Sequence, residues 1–182
     1  VEFLYPVVKV RKAEGCNELV FEELSAQFQA GGNFARHLSQ YEYRKPQVEM
    51  LKSVVDACNE DKIAVIEAGT GTGKSLAYLV PAVFWSIKNK ERVVVSTHTI
   101  NLQEQLIEKD IPILRNCCGL DFKSVLVKGR NNYVCLRKVS NVRSDGGTLV
   151  EDKDRRQLND LLAWAAKTRD GSKADLNFLP QD

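Results

Sequence analysis

The stretch Glu67-Ala68-Gly69-Thr70-Gly71-Thr72-Gly73-Lys74-Ser75 decides how the rest of this chain is read. Before it lies the apolar, β-branched run Ile63-Ala64-Val65-Ile66. After it, Leu76, Leu79, Val80, Val83, Phe84 and Ile87 recur at helical spacing. A strand therefore turns sharply into an amphipathic helix. Gly69, Gly71 and Gly73 can adopt positive φ and point successive N–H groups into one concavity that holds phosphate oxygens. In that geometry Lys74 sets its ammonium on the β and γ phosphates and Ser75 offers its hydroxyl to Mg2+, while the positive end of the helix adds to the field. The usual pattern opens with Gly six residues before the Lys; Ala68 stands there instead, at little cost if its φ is negative. The loop thus predicts an ATP site over residues 68–75, with Lys74 as the catalytic residue. The competing reading is a Gly-rich turn without a ligand.

At 182 residues, 43% hydrophobic and 27% charged, the chain can bury an adequate core and has an ordinary globular composition. A net charge of +2 is too small to imply nucleic-acid binding, so that claim must come from local clusters. No apolar run approaches membrane-spanning length and no signal peptide is visible, so no membrane role is expected. The start at Val1 is read as that of a fragment. The five cysteines, at positions 16, 58, 117, 118 and 135, contain no CxxC pair and do not resemble a secreted disulfide framework. A cytoplasmic location is expected, with Cys58 buried on the apolar face of a helix.

Upstream of the loop, Pro46 suits a first helical position, and Leu51, Val54, Val55 and Cys58 mark the apolar face that follows. Arg44 and Gln47 then project near the start of that helix. The Gln47 amide, a donor beside an acceptor, matches the edge of an adenine, although a solvated helix N-terminus has the same composition. Residues 1–40 carry no assignable chemistry. They read as a strand at Val7–Lys12, a turn near Gly15, a helical or extended stretch from Leu19 to Phe28, and a linker at Gly31-Gly32-Asn33, with His37 on the surface.

Downstream, Pro81 is expected to kink its helix, and Arg92-Val93-Val94-Val95-Ser96 reads as a buried parallel strand. Thr97, Thr99 and Gln103 follow at a strand-to-helix junction, where short uncharged donors suit a phosphodiester backbone. Helix capping by Thr99 explains part of the pattern equally well, and His98 reads as solvent-facing. A helix over Asp110–Gly119 is expected to break at Pro112, and Ser124–Lys128 is a third short strand. Between Lys123 and Arg143 there are six Lys or Arg and no acid. Arg130 and Tyr133 in that run are candidates for binding a single strand by charge and stacking, against the plain alternative of a solvated surface. Residues 144–147 form a turn, and a last helix carries Leu158, Leu161, Leu162 and Ala165 on one face before Gly171.

Together, YEYRKPQVEML (41–51), EAGTGTGKS (67–75) and STHTINLQEQL (96–106) resemble, in order, the motifs of the DinG/XPD-like iron–sulfur DNA helicases of superfamily 2, most closely the bacterial DinG type. The resemblance runs from about Tyr41 to the C-terminus. It implies an adenine-recognising motif with Arg44 and Gln47, a Walker A loop, and a DNA-backbone contact through Thr97, Thr99 and Gln103. KGRNNYVC (128–135) resembles the family segment that ends in the first cysteine ligand of a [4Fe–4S] cluster, which would make Cys135 a metal ligand; a lone Cys otherwise reads as structural. TRDGSKADLNFLP (168–180) resembles the segment before the remaining ligands. The implied activity is ATP-dependent 5′→3′ unwinding of DNA in repair or replication. ATP, Mg2+ and the cluster are the implied cofactors, and single-stranded DNA and DNA with single-stranded overhangs the implied partners.

The chain departs from that family in two places: no cysteine follows Cys135, and no run of four apolar residues ends in Asp-Glu. The expectation is therefore the N-terminal, ATP-binding part of a longer helicase, which alone neither hydrolyses ATP nor holds the cluster. The expected fold is α/β, a P-loop NTPase (RecA-like) three-layer core with parallel strands near 62–66, 92–96 and 124–128. It is expected to be incomplete and to lead into an α-helical iron–sulfur insertion. The expected domains are an extension or linker at 1–40, the ATP-binding domain at 41–134 and the insertion from 135 to 182. Two rivals share parts of the pattern: a P-loop kinase or phosphotransferase, and a non-catalytic single-stranded nucleic-acid-binding module built on residues 123–143.

Overall fold

The computed structural model describes residues 15–144 and 152–176. The chain divides into two compact units, Val1–Leu126 and Val127–Asp182. The strand expected at Val7–Lys12, most of the turn at 144–147 and the end of the 168–180 segment lie outside the described residues.

Two long helices form the centre of the first unit: α3 (Lys45–Glu60), and α4 (Lys74–Asn89), which packs against it. Short elements α1 (Phe21–Ser25) and α2 (Asn33–His37) precede them in the chain. Pro46 sits in the first turn of α3, where its missing N–H removes no helical bond, and Leu51 and Val55 are buried beneath. α4 buries Ala77, Leu79, Val80, Pro81 and Val83 and runs through Pro81 without interruption. Burial of the flanking apolar residues outweighs the hydrogen bond that the proline removes.

Residues 17–38 are part of the same core. Leu19, Leu24, Phe28 and Phe34 are buried in one cluster with Leu51, Val55, Val80 and Leu114. Each large apolar side chain buried this way contributes about 1.5–3 kcal/mol. Phe28 and Phe34 meet with ring centroids 4.9 Å apart, and Tyr41 lies 6.1 Å beyond Phe34. Polar clasps complete the attachment. The Asn59 amide accepts from the Leu19 N–H and donates to the Leu19 carbonyl, both at 2.8 Å, and Tyr41 Oη donates to the Phe28 carbonyl at 2.8 Å. Gly31-Gly32-Asn33, expected as a linker, is a tight turn inside this unit. Gly31 has φ +80°, and a Cβ on Gly32 would run into the Ala26 and Gln27 carbonyls. The boundary expected at residue 40 therefore falls within the first unit.

The remaining helical part of the unit runs without a gap as α5 (Ile100–Gln105), a π-helical turn (Leu106–Asp110) and α6 (Ile111–Cys118). The break expected at Pro112 does not occur. The proline ring would strike the carbonyl four residues earlier in a regular α-helix, and the wider π turn immediately before α6 relieves that conflict. Gly119, with φ +62°, ends α6 in the left-handed region.

No β-strand is present among the described residues, so the three expected strands do not form a sheet there. Residues 62–69, 91–97 and 121–129 are neither helical nor paired, and the backbone groups of 63–67 and 92–97 have no hydrogen-bond partner among the described residues. From Asp121 to Leu126, burial alternates residue by residue, the period of a strand. The apolar side chains are bare: Ile63, Val65, Val94 and Val125 are 91, 96, 87 and 81% exposed. Parallel strands of this composition need neighbours on each edge and cover on both faces. Here the helical side alone is covered, leaving a groove of about 860 Å³ bordered by Ala64, Ile66, Val93, Val95, Ala57 and Trp85.

The second unit holds α7 (Leu136–Ser144) and α8 (Asp152–Ala165), with Arg143 Nη2 donating to the Leu162 carbonyl at 3.3 Å. An antiparallel bridge joins Tyr133 to Ser172, and the Val134 N–H donates to the Gly171 carbonyl at 2.8 Å. Among the described residues no helix is long and apolar enough to cross a membrane.

Phe34→Ala is expected to destabilise the chain by about 3–5 kcal/mol in urea unfolding, the cost of deleting a buried aromatic. An unchanged midpoint would show that residues 17–38 are not part of the core. Val65→Lys and Val94→Lys are expected to raise solubility and reduce light scattering, because they charge an unpaired apolar edge. Unchanged scattering would count against that edge as the sticky surface.

Candidate nucleotide-binding site

The loop between Ile66 and α4 is polarised along its backbone. Gly71 and Gly73 have φ +78° and +79°, a region closed to most side-chain-bearing residues, and they bend the chain into a cup ahead of the helix. The carbonyls of Ala68, Gly69, Gly71 and Gly73 have donors. Lys74 Nζ donates to Ala68 O at 3.0 Å and Gly69 O at 2.6 Å, and Thr72 Oγ1 also donates to Gly69 O, at 3.0 Å. Arg44 Nη1 donates to Gly71 O at 2.8 Å, and Gln47 Nε2 donates to Gly73 O at 2.8 Å. Gly73 O also receives the Ala77 N–H at 3.4 Å, the first bond of α4.

The N–H side of the loop is open. The N–H groups of residues 69–76 have no acceptor among the described residues, and a Cβ on Gly69 or Gly71 would meet nothing within 4 Å. Free N–H groups at the start of a 16-residue helix are a ready anion site. The predicted residues Ala68 to Ser75 thus come together with Arg44 and Gln47. The donor set suits a polyphosphate: successive N–H groups, one ammonium and the Ser75 hydroxyl at the helix start, where a phosphate-bound Mg2+ would be met. Lys74 is held by two carbonyls and has to leave them to reach a phosphate.

Gln47 makes a contact that the sequence pattern did not predict. It is 4% exposed and its amide is committed to the loop. A Cβ on Gly73 would collide with that amide, so the glycine is required for closeness as well as for its φ. Motif spacing does not reveal such a contact, because the two residues are 26 apart in the chain and meet only once α3 packs on α4.

The nucleic-acid candidates fall into two groups. In the first unit, Thr99 caps α5, its Oγ1 accepting from the Leu102 N–H at 3.3 Å, while Thr97 Oγ1 donates to the Thr99 carbonyl at 3.2 Å. Gln103 is half-buried on the same short helix, and His98 is exposed. In the second unit, Arg130 is exposed, whereas Tyr133 is fixed through its hydroxyl, which accepts from the Lys128 N–H at 2.8 Å. Ser172, which sequence reasoning did not single out, is buried at 2% exposure and receives a bond from Lys128 Nζ at 3.3 Å.

All five cysteines are free thiols. Cys135 is exposed just before α7. The Lys138 backbone N–H, then that of Arg137, and the charges of both residues lower its pKa. Burial pushes Cys118 up to about 11. Among the described residues no group of three or more His, Cys, Asp or Glu could hold a metal. One thiolate is not a cluster site, and the residues present do not fit a complete [4Fe–4S] centre. Iodoacetamide near pH ~8 is expected to alkylate Cys135 well before Cys118, since the thiolate is the nucleophile and a lowered pKa makes it available at lower pH. The reverse order by peptide mass mapping would contradict the placement of both.

The chain is 40% identical over 152 residues to the ATP-dependent helicase DinG of Mycobacterium tuberculosis, a match covering 73% of this chain and 22% of that protein. It is 35% identical over 141 residues to the 3′-5′ exonuclease DinG of Bacillus subtilis, covering 76% of this chain and 15% of the relative. It is 32% identical over 155 residues to the ATP-dependent DNA helicase YoaA of Haemophilus influenzae, covering 85% of this chain and 23% of that protein. The chain thus corresponds to between 15 and 23% of the length of these curated relatives. The DEAD/DEAH box helicase model matches residues 44–150, a stretch that takes in Arg44, Gln47, the phosphate loop and the Thr97–Gln103 junction, and the chain belongs to that family.

Proposed function

We propose that this chain is the N-terminal, ATP-binding part of an ATP-dependent DNA helicase of the DinG type. The observation that carries the reading is the polarised loop, with four of its carbonyls tied back and its N–H groups left open for a polyphosphate that Lys74 can reach by leaving two of those carbonyls. Helicase family membership favours this over the phosphotransferase and the non-catalytic binding module. Lys74 would hold the terminal phosphates and Ser75 the Mg2+, which would neutralise their charge when bound. Thr97, Thr99 and Gln103 contact a phosphodiester backbone, and Arg130 and Tyr133 a single strand.

In the complete protein, ATP-driven 5′→3′ movement on single-stranded DNA, or on duplexes with single-stranded overhangs, serves repair or replication in the cytoplasm. The fold is a RecA-like three-layer core whose parallel sheet includes residues 62–66, 92–96 and 124–128. Residues from 135 onward begin an iron–sulfur insertion in which Cys135 is one of four ligands, the other three lying outside these 182 residues.

The loop binds and positions; hydrolysis needs carboxylates at the end of an apolar run, and the sequence has no such Asp-Glu. The 182-residue chain is therefore expected to bind ATP without turning it over. A protein joining this chain to the remaining motor segments of its relatives is expected to hydrolyse ATP faster when oligo-dT is added. Lys74→Ala removes a charge-assisted contact worth about 1.5–3 kcal/mol, so ATP affinity should fall roughly ten- to a hundredfold. Absence of stimulation by single-stranded DNA would overturn the helicase reading, and unaltered ATP binding by the Lys74 variant would overturn the site.

A further inference from the structure

We infer that Ser172 and Lys128 form a latch that positions the exposed turn carrying Arg130 and Tyr133, the residues proposed above to meet a single strand. The inference rests on that single-strand reading and adds to it a buried positioning residue, Ser172. The turn is the 3-10 segment Arg130–Asn132. It closes on itself: the Asn132 N–H donates to the Gly129 carbonyl at 2.8 Å, and the Tyr133 N–H to the Arg130 carbonyl at 3.2 Å. The Tyr133 hydroxyl reaches back across it and accepts from the Lys128 N–H at 2.8 Å. Both ends of the turn are then fastened to one distant stretch. Before it, Lys128 Nζ donates to Ser172 Oγ at 3.3 Å, across 44 positions of sequence. After it, the Val134 N–H donates to the Gly171 carbonyl at 2.8 Å, within the antiparallel bridge between Tyr133 and Ser172.

The stretch that receives these bonds is itself fixed. Ser172 is 2% exposed, and its N–H donates to Asp170 Oδ1 at 2.8 Å. Its Oγ also accepts from the Ala174 N–H at 3.4 Å, which caps the 3-10 turn Lys173–Asp175. The Gly171 N–H donates to Thr168 Oγ1 at 3.0 Å. Gly171 has φ +74°, and a Cβ there would come within 3.1 Å of Val134 Cγ1, so the two segments meet closer than a side chain would allow. A buried hydroxyl is tolerated when its bonds are made, and here one of them is made to the segment that carries the turn. Arg130, by contrast, is exposed, and the chain leading to it, residues 121–129, is neither helical nor paired. A 3-10 turn of three residues has little stability of its own. Without an anchor, Arg130 and the Tyr133 ring would have to be ordered at each encounter with a phosphodiester and a base, at an entropic cost to binding. The latch supplies that order beforehand.

Two measurements on the full 182-residue chain test this: amide hydrogen exchange at Val134, followed by NMR, and binding of fluorescein-labelled oligo-dT, followed by anisotropy. Ser172→Ala changes no charge and removes no exposed group, so it can alter DNA binding only through geometry. It is expected to speed exchange at Val134 about tenfold and to weaken oligo-dT binding about three- to tenfold, the effect of losing one hydrogen bond. Tyr133→Phe keeps the ring for stacking and removes the hydroxyl. It is expected to act in the same way, and it decides the matter if Ser172→Ala does not fold. Arg130→Ala is expected to weaken oligo-dT binding and to reduce its salt slope by about one, with Val134 exchange unchanged. Unchanged exchange in both latch variants would overturn the latch. Faster exchange with unaltered oligo-dT affinity would overturn its positioning role. If the wild-type chain binds no oligo-dT, the single-strand reading falls and the positioning role with it, while the exchange rates still report whether the latch exists.

Discussion

The site depends on one constraint, the fixed antiparallel arrangement of C=O and N–H within each peptide unit. Once the carbonyls of Ala68, Gly69, Gly71 and Gly73 are bonded to Lys74, Thr72, Arg44 and Gln47, the N–H groups of the following residues face the other way. The proposed anion site is then a consequence of where the loop's oxygens are held. The holding side chains are only as well placed as α3. That helix is in turn seated by Leu51 and Val55 against Leu24, Phe28 and Phe34, with Tyr41 pinned to the Phe28 carbonyl just before the helix begins. A clasp of residues 17–41 therefore bears on the proposed phosphate site more than 25 residues further along the chain, through packing and not through contact with a ligand.

The same structure is consistent with the proposed division between binding and turnover. The helical side of the expected sheet is built, and it is the side that carries the loop, α3 and α4. The apolar runs at 63–66 and 92–95 have the composition of buried parallel strands but no ladder among the described residues, and Val65 and Val94 stand almost fully in solvent. A phosphate cup needs a helix N-terminus and a few donors, all of them local. Activation of water needs groups delivered across a finished sheet, which are long-range by nature.

The local chemistry was legible in the sequence. The loop, the start of α3 at Pro46, the Thr99 cap and the stop at Gly119 all follow from backbone rules that act over a few residues. What depends on tertiary packing was not. Residues 17–38 lack a clean period because they fold as two very short helices and a 3-10 turn, so Phe28 and Phe34 did not announce themselves as core. Pro112 reads as a break in any α-helical pattern, and the π turn before it has no sequence signature of its own. Gln47 has the residue type of an adenine reader, and its amide also donates to the loop backbone. The residue type is visible in a sequence; the Gly73 carbonyl 2.8 Å from its amide is not. Ala68, a departure from the usual loop pattern, contributes its carbonyl to Lys74, a role indifferent to its side chain.

The central claim is that the N–H groups of residues 69–75 form the phosphate site of this chain. It is tested most directly by two-dimensional amide NMR of the uniformly nitrogen-15-labelled chain titrated with Mg2+·ADP. The account predicts that the Thr72, Gly73 and Lys74 amide resonances move downfield to saturation together, as hydrogen bonds to phosphate oxygens form. Saturable binding that leaves these resonances in place and perturbs residues elsewhere would contradict it.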